Sequence, residues 1–304
     1  MAIVDTNLLV PGIRAEFFDA VSNAQTFFER LSLRITSDKD TEKYRWLHQN
    51  PRPREWGTGR LAKGLGNESY DVENQKYELT LEVDRDELED AQLPQITQRV
   101  RMMGESFATY KDFLIAQLLI NGGSAGFVSF DGKTFFAADH ESGLSGPQSN
   151  DLTFNVVDPN APTTTELESA VEQAITTMMG IKDDNGESAR LLPTGLALVV
   201  PPGLFFKMKK VVNTQVVNNT TNVFESVAEV IPLPDITDAT KFYTLKIDRQ
   251  MKPFIYQQRT EIELTELTES SEPGFLRDVW LFGARQRFRM AYGDWKLAQR
   301  TTLN

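Results

Sequence analysis

The spacing of apolar residues predicts helices and strands in mixed order along the chain. Residues 11–31 have the period of an amphipathic helix, and residues 32–49 have an extended and mostly polar pattern. The candidate apolar side of the first helix consists of Ile13, Phe17, Val21, Phe27 and Phe28. The chain therefore begins with a helical segment that needs an apolar surface to pack against.

Residues 50–83, NPRPREWGTGRLAKGLGNESYDVENQKYELTLEV, divide into two halves of different character. The first half is basic, and its prolines and glycines exclude a continuous helix. The second half alternates with period two, which predicts a strand. One side of this strand carries Tyr77, Leu79, Leu81 and Val83, and the other carries Glu78, Thr80 and Glu82. These few apolar side chains cannot cover themselves, so the segment needs a partner surface.

The strongest helical signal begins at Pro94, a residue suited to the first turn of a helix, and ends at Asn121-Gly122-Gly123. Its apolar positions alternate in spacings of four and three, at Ile96, Val100, Met103, Phe107, Tyr110, Leu114 and Leu118. A helix of roughly 28 residues is about 40 Å long. Such a rod is able to organise a flat, elongated subunit.

The rest of the chain adds one clear helix and several strands. The pair Thr165 and Glu168 has capping-box spacing before LESAVEQAITTMM, and GLALVVPP has the composition of a buried strand. Further strands are predicted at SVAEVIPL, FYTLKID, PFIYQQRTEIELTEL and DVWLFGARQRFRMAYGDWKLAQRTT. Helices and strands do not alternate regularly, which favours the α+β class.

Composition excludes several classes of function. The formal net charge of -11 argues against general affinity for a nucleic-acid backbone. The chain has no cysteine, so disulfides and thiolate metal sites are excluded. No apolar run reaches about 18 residues, so no transmembrane helix and no membrane partner are expected.

Familiar catalytic patterns are missing from the sequence. The chain has two histidines, and the Asp139-His140 pair has no cysteine or third histidine beside it. The acidic runs at 84–90 and 261–272 have the pattern of solvated faces, and the glycines of REWGTGRLAKGLG lack the Gly-Lys-Ser/Thr ending of a phosphate loop. We therefore expect no catalytic residue, no metal site and no cofactor.

Four motifs in order resemble one protein family. PRPREWGTGRL, DGKTFFAADH, MKPFIYQQR and FGARQRFRMAYGDWKLA resemble segments of the major head subunits of Mu-like phages and prophages. Each motif is weak alone, but their order along nearly the whole chain is specific. The resemblance implies an HK-97-type capsid fold, which is an α+β fold.

The resemblance also implies a division of the chain. The expected parts are an N-terminal arm, an extended loop, a peripheral domain with a long spine helix, and an axial domain. Their expected bounds are arm 1–45, extended loop 46–83, peripheral domain with spine helix 84–128, axial domain 129–249, and C-terminal peripheral strands 250–304.

The extended loop is expected to pack against a neighbouring subunit, and charge suggests where. The candidate intersubunit contacts of the loop are Arg52, Arg54, Trp56, Arg60, Leu61 and Lys63. The candidate acidic partner surface consists of Asp84, Asp86, Glu87, Glu89 and Asp90. A candidate interface strand carries Arg285, Arg287 and Arg289 on one face, with Gln286 and Phe288 on the other.

The function implied is that of a major capsid protein, not an enzyme. Copies of the chain are expected to form hexamers and pentamers of an icosahedral shell around double-stranded DNA, without sequence-specific binding. The sequence begins almost at the predicted arm helix, so the scaffold is expected to be a separate protein, with portal and decoration proteins as further partners. The expected location is the virion, after assembly in the cytoplasm of a bacterial host.

Two alternatives remain at this level. In the first, a protein of the same fold forms an encapsulin-like cellular compartment that loads an enzyme cargo. The other is a carbohydrate-active enzyme that uses two of the acidic residues, since such enzymes need paired carboxylates in a cleft.

Overall fold

The computed structural model describes residues 6–44, 70–89, 93–213, 216–217, 220–221 and 227–304. The α-helices of this part of the chain are α1 Thr6–Asn23, α2 Phe28–Leu31, α3 Arg85–Glu89, α4 Leu93–Asn121, α5 Thr164–Gly180, α6 Pro202–Asn213 and α7 Glu272–Arg277. Its strands are β1 Ser32–Thr36, β2 Thr41–Tyr44, β3 Tyr70–Glu73, β4 Gln75–Asp84, β5 Asp151–Phe154, β6 Leu196–Val200, β7 Val216–Val217, β8 Thr220–Thr221, β9 Ala228–Pro232, β10 Lys241–Lys246, β11 Phe254–Gln258, β12 Glu263–Leu267, β13 Val279–Tyr292 and β14 Ala298–Leu303.

One five-stranded sheet is organised around the 14-residue strand β13. One edge of β13 pairs with β4, and its other edge pairs with β12 and then with β11, which also pairs with β1. The helix α4 packs on this sheet, and α1 packs on α4. We call this unit the peripheral layer.

A second five-stranded sheet has the strand order β5-β14-β10-β6-β9. Its inner strand β6, LALVV, lies between β10 and β9 and is buried at every position, which explains why this segment has no polar alternation. The helices α5 and α6 pack on this sheet and on each other. We call this unit the axial layer.

The end of the chain is shared between the two layers. The strand β13 lies in the peripheral sheet, whereas β14 pairs with β10 and β5 of the axial sheet. A short 3-10 turn at Trp295–Leu297 connects them, and Trp295 is fully buried. Residues 250–304, grouped together from the sequence, thus contribute strands to both sheets.

The spine helix predicted from Pro94 is present as α4, with 29 residues. Its first half buries Ile96, Val100 and Phe107, as predicted, but Tyr110 is 41 % exposed. Burial continues instead in four-residue steps, at the pairs 107–108, 111–112 and 115–116. The predicted stripe alternates four and three, so its mean period is 3.5 and it drifts by about 20° per heptad around a helix of 3.6 residues per turn.

The arm is a helix with a break and not one continuous helix. The segment 24–27 separates α1 from α2, although Ile13, Phe17 and Phe28 are buried as the pattern predicts. The backbone N–H groups of Phe27 and Phe28 donate to the carboxylate of Asp112 on α4, at 2.7–3.0 Å. A side chain from a distant helix therefore satisfies the donors at the start of α2.

The capping box of α5 lies two residues before the one predicted. The Thr163 hydroxyl accepts from the backbone N–H of Glu166, and the Glu166 carboxylate accepts from the backbone N–H of Thr163. Both Thr163 and Thr165 have a glutamate three residues later, so the sequence offered two equivalent starts. Among the described helices, none is long and apolar enough to cross a membrane.

Candidate assembly surface

The root of the extended segment is firmly held by the body of the subunit. The strands β2 and β3 pair with each other, with Tyr44 opposite Tyr70 at their last position. The buried Tyr44 hydroxyl donates to the Gln257 side chain at 2.6 Å, and Gln257 donates to the carbonyl of Val72 at 3.2 Å. The described residues on either side of segment 45–69, Tyr44 and Tyr70, therefore lie opposite each other.

The strand β4 is the open side of the peripheral sheet. Among the described strands it pairs with β13 alone, so its second edge is unpaired over ten residues. Leu79 is 36 % exposed on this strand, and a hollow of about 280 Å³ beside it is lined by Tyr77, Phe107 and Tyr110. Unpaired strand edges and exposed apolar hollows are typical of surfaces that another chain covers.

The predicted acidic surface at the end of β4 is partly neutralised within the chain. Glu87 pairs with Arg99 at 2.9 Å, and the Asp84 carboxylate accepts from the backbone N–H of Asp86 at 2.9 Å. Asp86 is exposed and enters no ion pair among the described residues. The side chain of Glu89 and the whole of Asp90 lie outside the described part. The acid most available to a partner is thus Asp86.

The three arginines of β13 share one face, as the sequence predicts, and Gln286 and Phe288 on the opposite face are buried. Arg285 is exposed and lies between Glu78 of β4 and Glu263 of β12 in the strand register. Arg287 forms an ion pair with Asp40. Arg289 lies close enough to the Tyr77 hydroxyl to counteract the rise in its pKa that burial causes. Each arginine has neighbours in its own chain, and an intersubunit role for them stays a prediction.

The six predicted contact residues of the loop, namely Arg52, Arg54, Trp56, Arg60, Leu61 and Lys63, lie outside the described residues. What the structure supplies is their anchoring point, next to β11 and the open β4 strand. Their roles therefore rest on the sequence and on the family.

The candidate Asp-His pair is structural, and its carboxylate is not the one adjacent in sequence. Fully buried His140 contacts Asp131 through Nδ1 at 2.6 Å and stacks on Trp295 with ring centroids 4.1 Å apart. Asp139 instead pairs with Lys133, whose ammonium lowers the pKa of that carboxyl. In the part of the chain that is described, no group of three or more acidic or histidine side chains is placed to hold a metal ion.

Sequence patterns missed a buried pair of charges in the middle of α4. Lys111 and Asp112 are both buried, where the predicted stripe would leave them at the surface. Burial lowers the pKa of Lys111 to about 8 and raises the pKa of Asp112. The signal is the four-residue row that runs from Phe107 through Lys111 to Ile115, but lysine and aspartate are rarely buried, so the apolar pattern does not predict their burial.

Comparison with known proteins identifies the family to which the chain belongs. The sequence profile of the family "Mu-like prophage major head subunit gpT" matches residues 6–165, 160–236 and 234–304. The chain belongs to this family. It is 23 % identical over 291 residues to the major capsid protein of Escherichia phage Mu. The matched region covers 95 % of this chain and 71 % of that protein.

Solved structures give the same fold. The procapsid of bacteriophage JBD30 matches with a TM-score of 0.59 and 22 % identity, over 99 % of this chain and 76 % of that one. The virus-like particle from Pyrococcus furiosus matches with a TM-score of 0.57 and 11 % identity, over 96 % and 98 % of the two chains. The HK-97-type capsid fold and the α+β class are confirmed.

Membership in the head subunit family makes the chain a structural capsid protein and not an enzyme. The carbohydrate-active alternative is therefore excluded. The similarity to the Pyrococcus particle is one of fold alone, and the family match favours the phage head over a cellular compartment.

Proposed function

We propose that copies of this head subunit form the hexamers and pentamers of a closed icosahedral shell, and that the shell encloses double-stranded DNA. The observation that carries the proposal is the family match over nearly the whole chain. The acidic balance of the chain fits a container that does not bind its packed DNA tightly.

The proposed domain division follows the sequence with one change. Residues 1–45 form the arm, 46–83 the extended loop, and 84–128 the part of the peripheral domain with the spine helix. Residues 129–249 form most of the axial domain. We place the final boundary near Gly293, because β14 pairs with the axial strands β5 and β10.

The extended loop reaches a neighbouring subunit in this proposal. Residues 45–69 comprise 25 residues between the paired positions Tyr44 and Tyr70. A chain of that length folded back on itself spans at most about 40 Å. The residues on either side of it, Tyr44 and Tyr70, lie opposite each other, so the loop begins and ends at one point of the subunit. Trp56, Leu61 and Leu65 of the loop are then covered only after assembly.

Charge supports one orientation of the loop. Residues 52–63 carry Arg52, Arg54, Arg60 and Lys63 against one acid, Glu55. The surface around Asp86 of a neighbour has the opposite charge. Each exposed ion pair contributes only about 0.2–1 kcal/mol, but repetition around a ring favours the correct partner and register.

Separate scaffold, portal and decoration proteins complete the proposed assembly, which takes place in the cytoplasm of a bacterial host and ends in the virion. The capsid structures of relatives support self-assembly as the central activity.

Overexpression of the chain followed by electron microscopy tests the proposal. We expect closed shells or capsomers, and light scattering of the purified protein at high concentration to report large assemblies. A protein that stays monomeric at high concentration, with or without a co-expressed scaffold, contradicts the proposal. DNA in shells recovered from an infected or induced host supports a phage head, and an enzyme cargo supports a cellular compartment.

Deletion of residues 54–68 tests the loop separately. Circular dichroism should stay near that of the intact chain, because both sheets are built without this segment, whereas shells should be absent. Intact shells from the deletion variant contradict the role of the loop.

Charge reversal tests the proposed contact. Replacement of Arg52, Arg54 and Arg60 by Glu should block assembly, and Asp86→Lys with Glu89→Lys should partly restore it. Glu87→Lys is the matched control, because Glu87 already pairs with Arg99 in its own chain. Equal rescue by the control argues against direct pairing of loop and acidic surface.

A further inference from the structure

A polar crevice lies where the arm meets the peripheral layer. It has a volume of about 540 Å³ and lies between the end of α1, the helix α4 and the strand β11. Its lining includes the polar residues Gln25, Thr26, Glu29, Arg34, Gln258 and Glu261, and Lys111.

Lys111 is 4 % exposed and is surrounded by aromatic rings. Its Nζ lies 5.3 Å from the ring centre of Phe28, 5.5 Å from Phe288, 5.8 Å from Phe107 and 6.0 Å from Tyr256. Ring faces attract a cation but do not accept its three N–H groups as a carboxylate does. The cage holds the ammonium without completing its hydrogen bonds.

The charged groups that face Lys111 are Glu29, Asp112, Arg34 and Glu261. Asp112 already accepts from the backbone of Phe27 and Phe28, and Glu261 pairs with Arg34 at 3.1 Å. Among the described residues, no ion pair within 4 Å and no hydrogen bond includes the Lys111 ammonium.

The other two buried lysines of the described part have polar partners for their ammonium groups. Lys246 contacts Asp248 at 2.9 Å and the carbonyl of Thr194. Lys296 contacts Ser142 at 3.4 Å and Asp294 at 3.9 Å. A buried charge is normally paired, because its removal from water is costly. Lys111 is therefore the exception, and it lines an open crevice.

We propose that the crevice receives a carboxylate side chain from a second copy of the chain, and that this carboxylate pairs with Lys111 when subunits assemble. The inference rests on the proposed function and identifies one contact of the assembly. Each copy carries 43 acidic against 32 basic residues, so a carboxylate is the charged group that a neighbour most often offers. Gln25, Thr26 and Gln258 line the same crevice, and amide and hydroxyl groups are able to donate to the second oxygen of this carboxylate.

Zero-length cross-linking tests this contact directly. Shells are assembled from a mixture of ¹⁴N-labelled and ¹⁵N-labelled subunits and treated with a water-soluble carbodiimide, which joins an amine to a carboxylate in contact with it. Mass spectrometry should then find Lys111 joined to an acidic peptide of the other isotope. Lys111 joined only to peptides of its own isotope, for example to Glu29, overturns the proposal.

The reactivity of Lys111 provides a second measurement. Competitive acetylation across a pH series gives the pKa of this amine, which is about 8 in the isolated subunit. An entering carboxylate raises the pKa upon assembly, whereas burial without a partner lowers it further. An unchanged or lower pKa in shells contradicts the contact.

The variant Lys111→Met separates this role from a purely structural one. Removal of an unpaired buried charge should raise the melting temperature of the unassembled subunit. The same change should increase the concentration needed for assembly by about tenfold, which corresponds to about 1.4 kcal/mol. The exposed Lys182→Met is the control and should change neither quantity.

The outcomes distinguish the two proposals. If the intact chain forms no shells under any condition, the proposed function fails and this contact falls with it. If shells form but Lys111→Met assembles as well as the intact chain, or Lys182→Met has an equal effect, the contact alone is overturned.

Discussion

The axial and peripheral layers differ in how much of their surface the chain covers by itself. In the axial sheet β6 is buried along its whole length, and β10 is buried at all but its first residue. In the peripheral sheet β4 is exposed at seven of its ten positions and has an unpaired edge among the described strands. The inner axial strands are thus covered by their own chain, whereas the β4 side of the peripheral sheet is left uncovered.

The difference follows from what each sheet packs against. Both α5 and α6 pack on the axial sheet, and the largest apolar cluster includes β6, β10 and β14 and continues to β11 and the end of β13 in the peripheral sheet. The smaller cluster of the peripheral layer lies between α1, α4 and the strands β4, β12 and β13. A subunit made for assembly keeps its stability in one region and leaves unpaired surface in another, where copies meet.

The largest expected effects come from the same substitution in both cores. Phe242→Ala in the axial layer and Phe107→Ala on the spine helix should each lower the free energy of unfolding by about 3–5 kcal/mol. Phe242 is fully buried in the larger cluster, so we expect its effect to be the greater. Chemical denaturation measures both.

A loss well under about 1 kcal/mol for Phe107→Ala would mean that the spine stripe is a surface feature. An equal loss for both variants would remove the energetic distinction between the layers, although the difference in exposure remains.

The pH dependence of the unassembled subunit should reveal the cost of Lys111, at the junction of the two clusters. Burial lowers the pKa of this lysine to about 8, so the folded chain binds the proton less tightly than the unfolded chain. The free energy of unfolding therefore rises between about pH 8 and 10.5, by on the order of 3 kcal/mol at most.

Denaturation at pH 7.5 to 9.5 checks this prediction before most tyrosines titrate. Lys111→Met should remove the rise, and Lys182→Met should retain it. A rise that persists in Lys111→Met must come from another group.

A smaller effect is expected for the carboxylate that joins the arm to the spine. Asp112→Ala leaves the buried backbone N–H of Phe28 and that of Phe27 without their acceptor, which should cost about 1–3 kcal/mol. Because the loss lies at the arm, hydrogen exchange should increase in α2 and not in the axial strands. Increased exchange throughout the axial sheet would mean that the two layers unfold as one unit.

The smallest effect is expected on the open face of the peripheral layer. Arg277 and Glu82 form an exposed ion pair at 3.1 Å. Arg277→Ala should change the free energy of unfolding of the isolated subunit by no more than about 0.5 kcal/mol. A larger loss would show that this face contributes to the stability of the single subunit, as the axial layer does.

Local patterns in the sequence determined the spine helix, the alternation along β4 and the shared face of the β13 arginines. Each depends only on the period of a helix or a strand, on Pro94 at the start of α4, and on the glycines at its end. The order of four short motifs was enough to indicate the family, which the comparisons confirm.

Tertiary structure alone decided which residues distant in sequence meet. It placed β14 in the axial sheet, gave His140 the carboxylate of Asp131 in place of Asp139, and buried Lys111 among four aromatic rings. Strand pairing and burial depend on neighbours brought together by the whole chain, and a local pattern carries no information about those neighbours. The sequence therefore indicated a subunit that assembles, and the fold showed where its surface is left open.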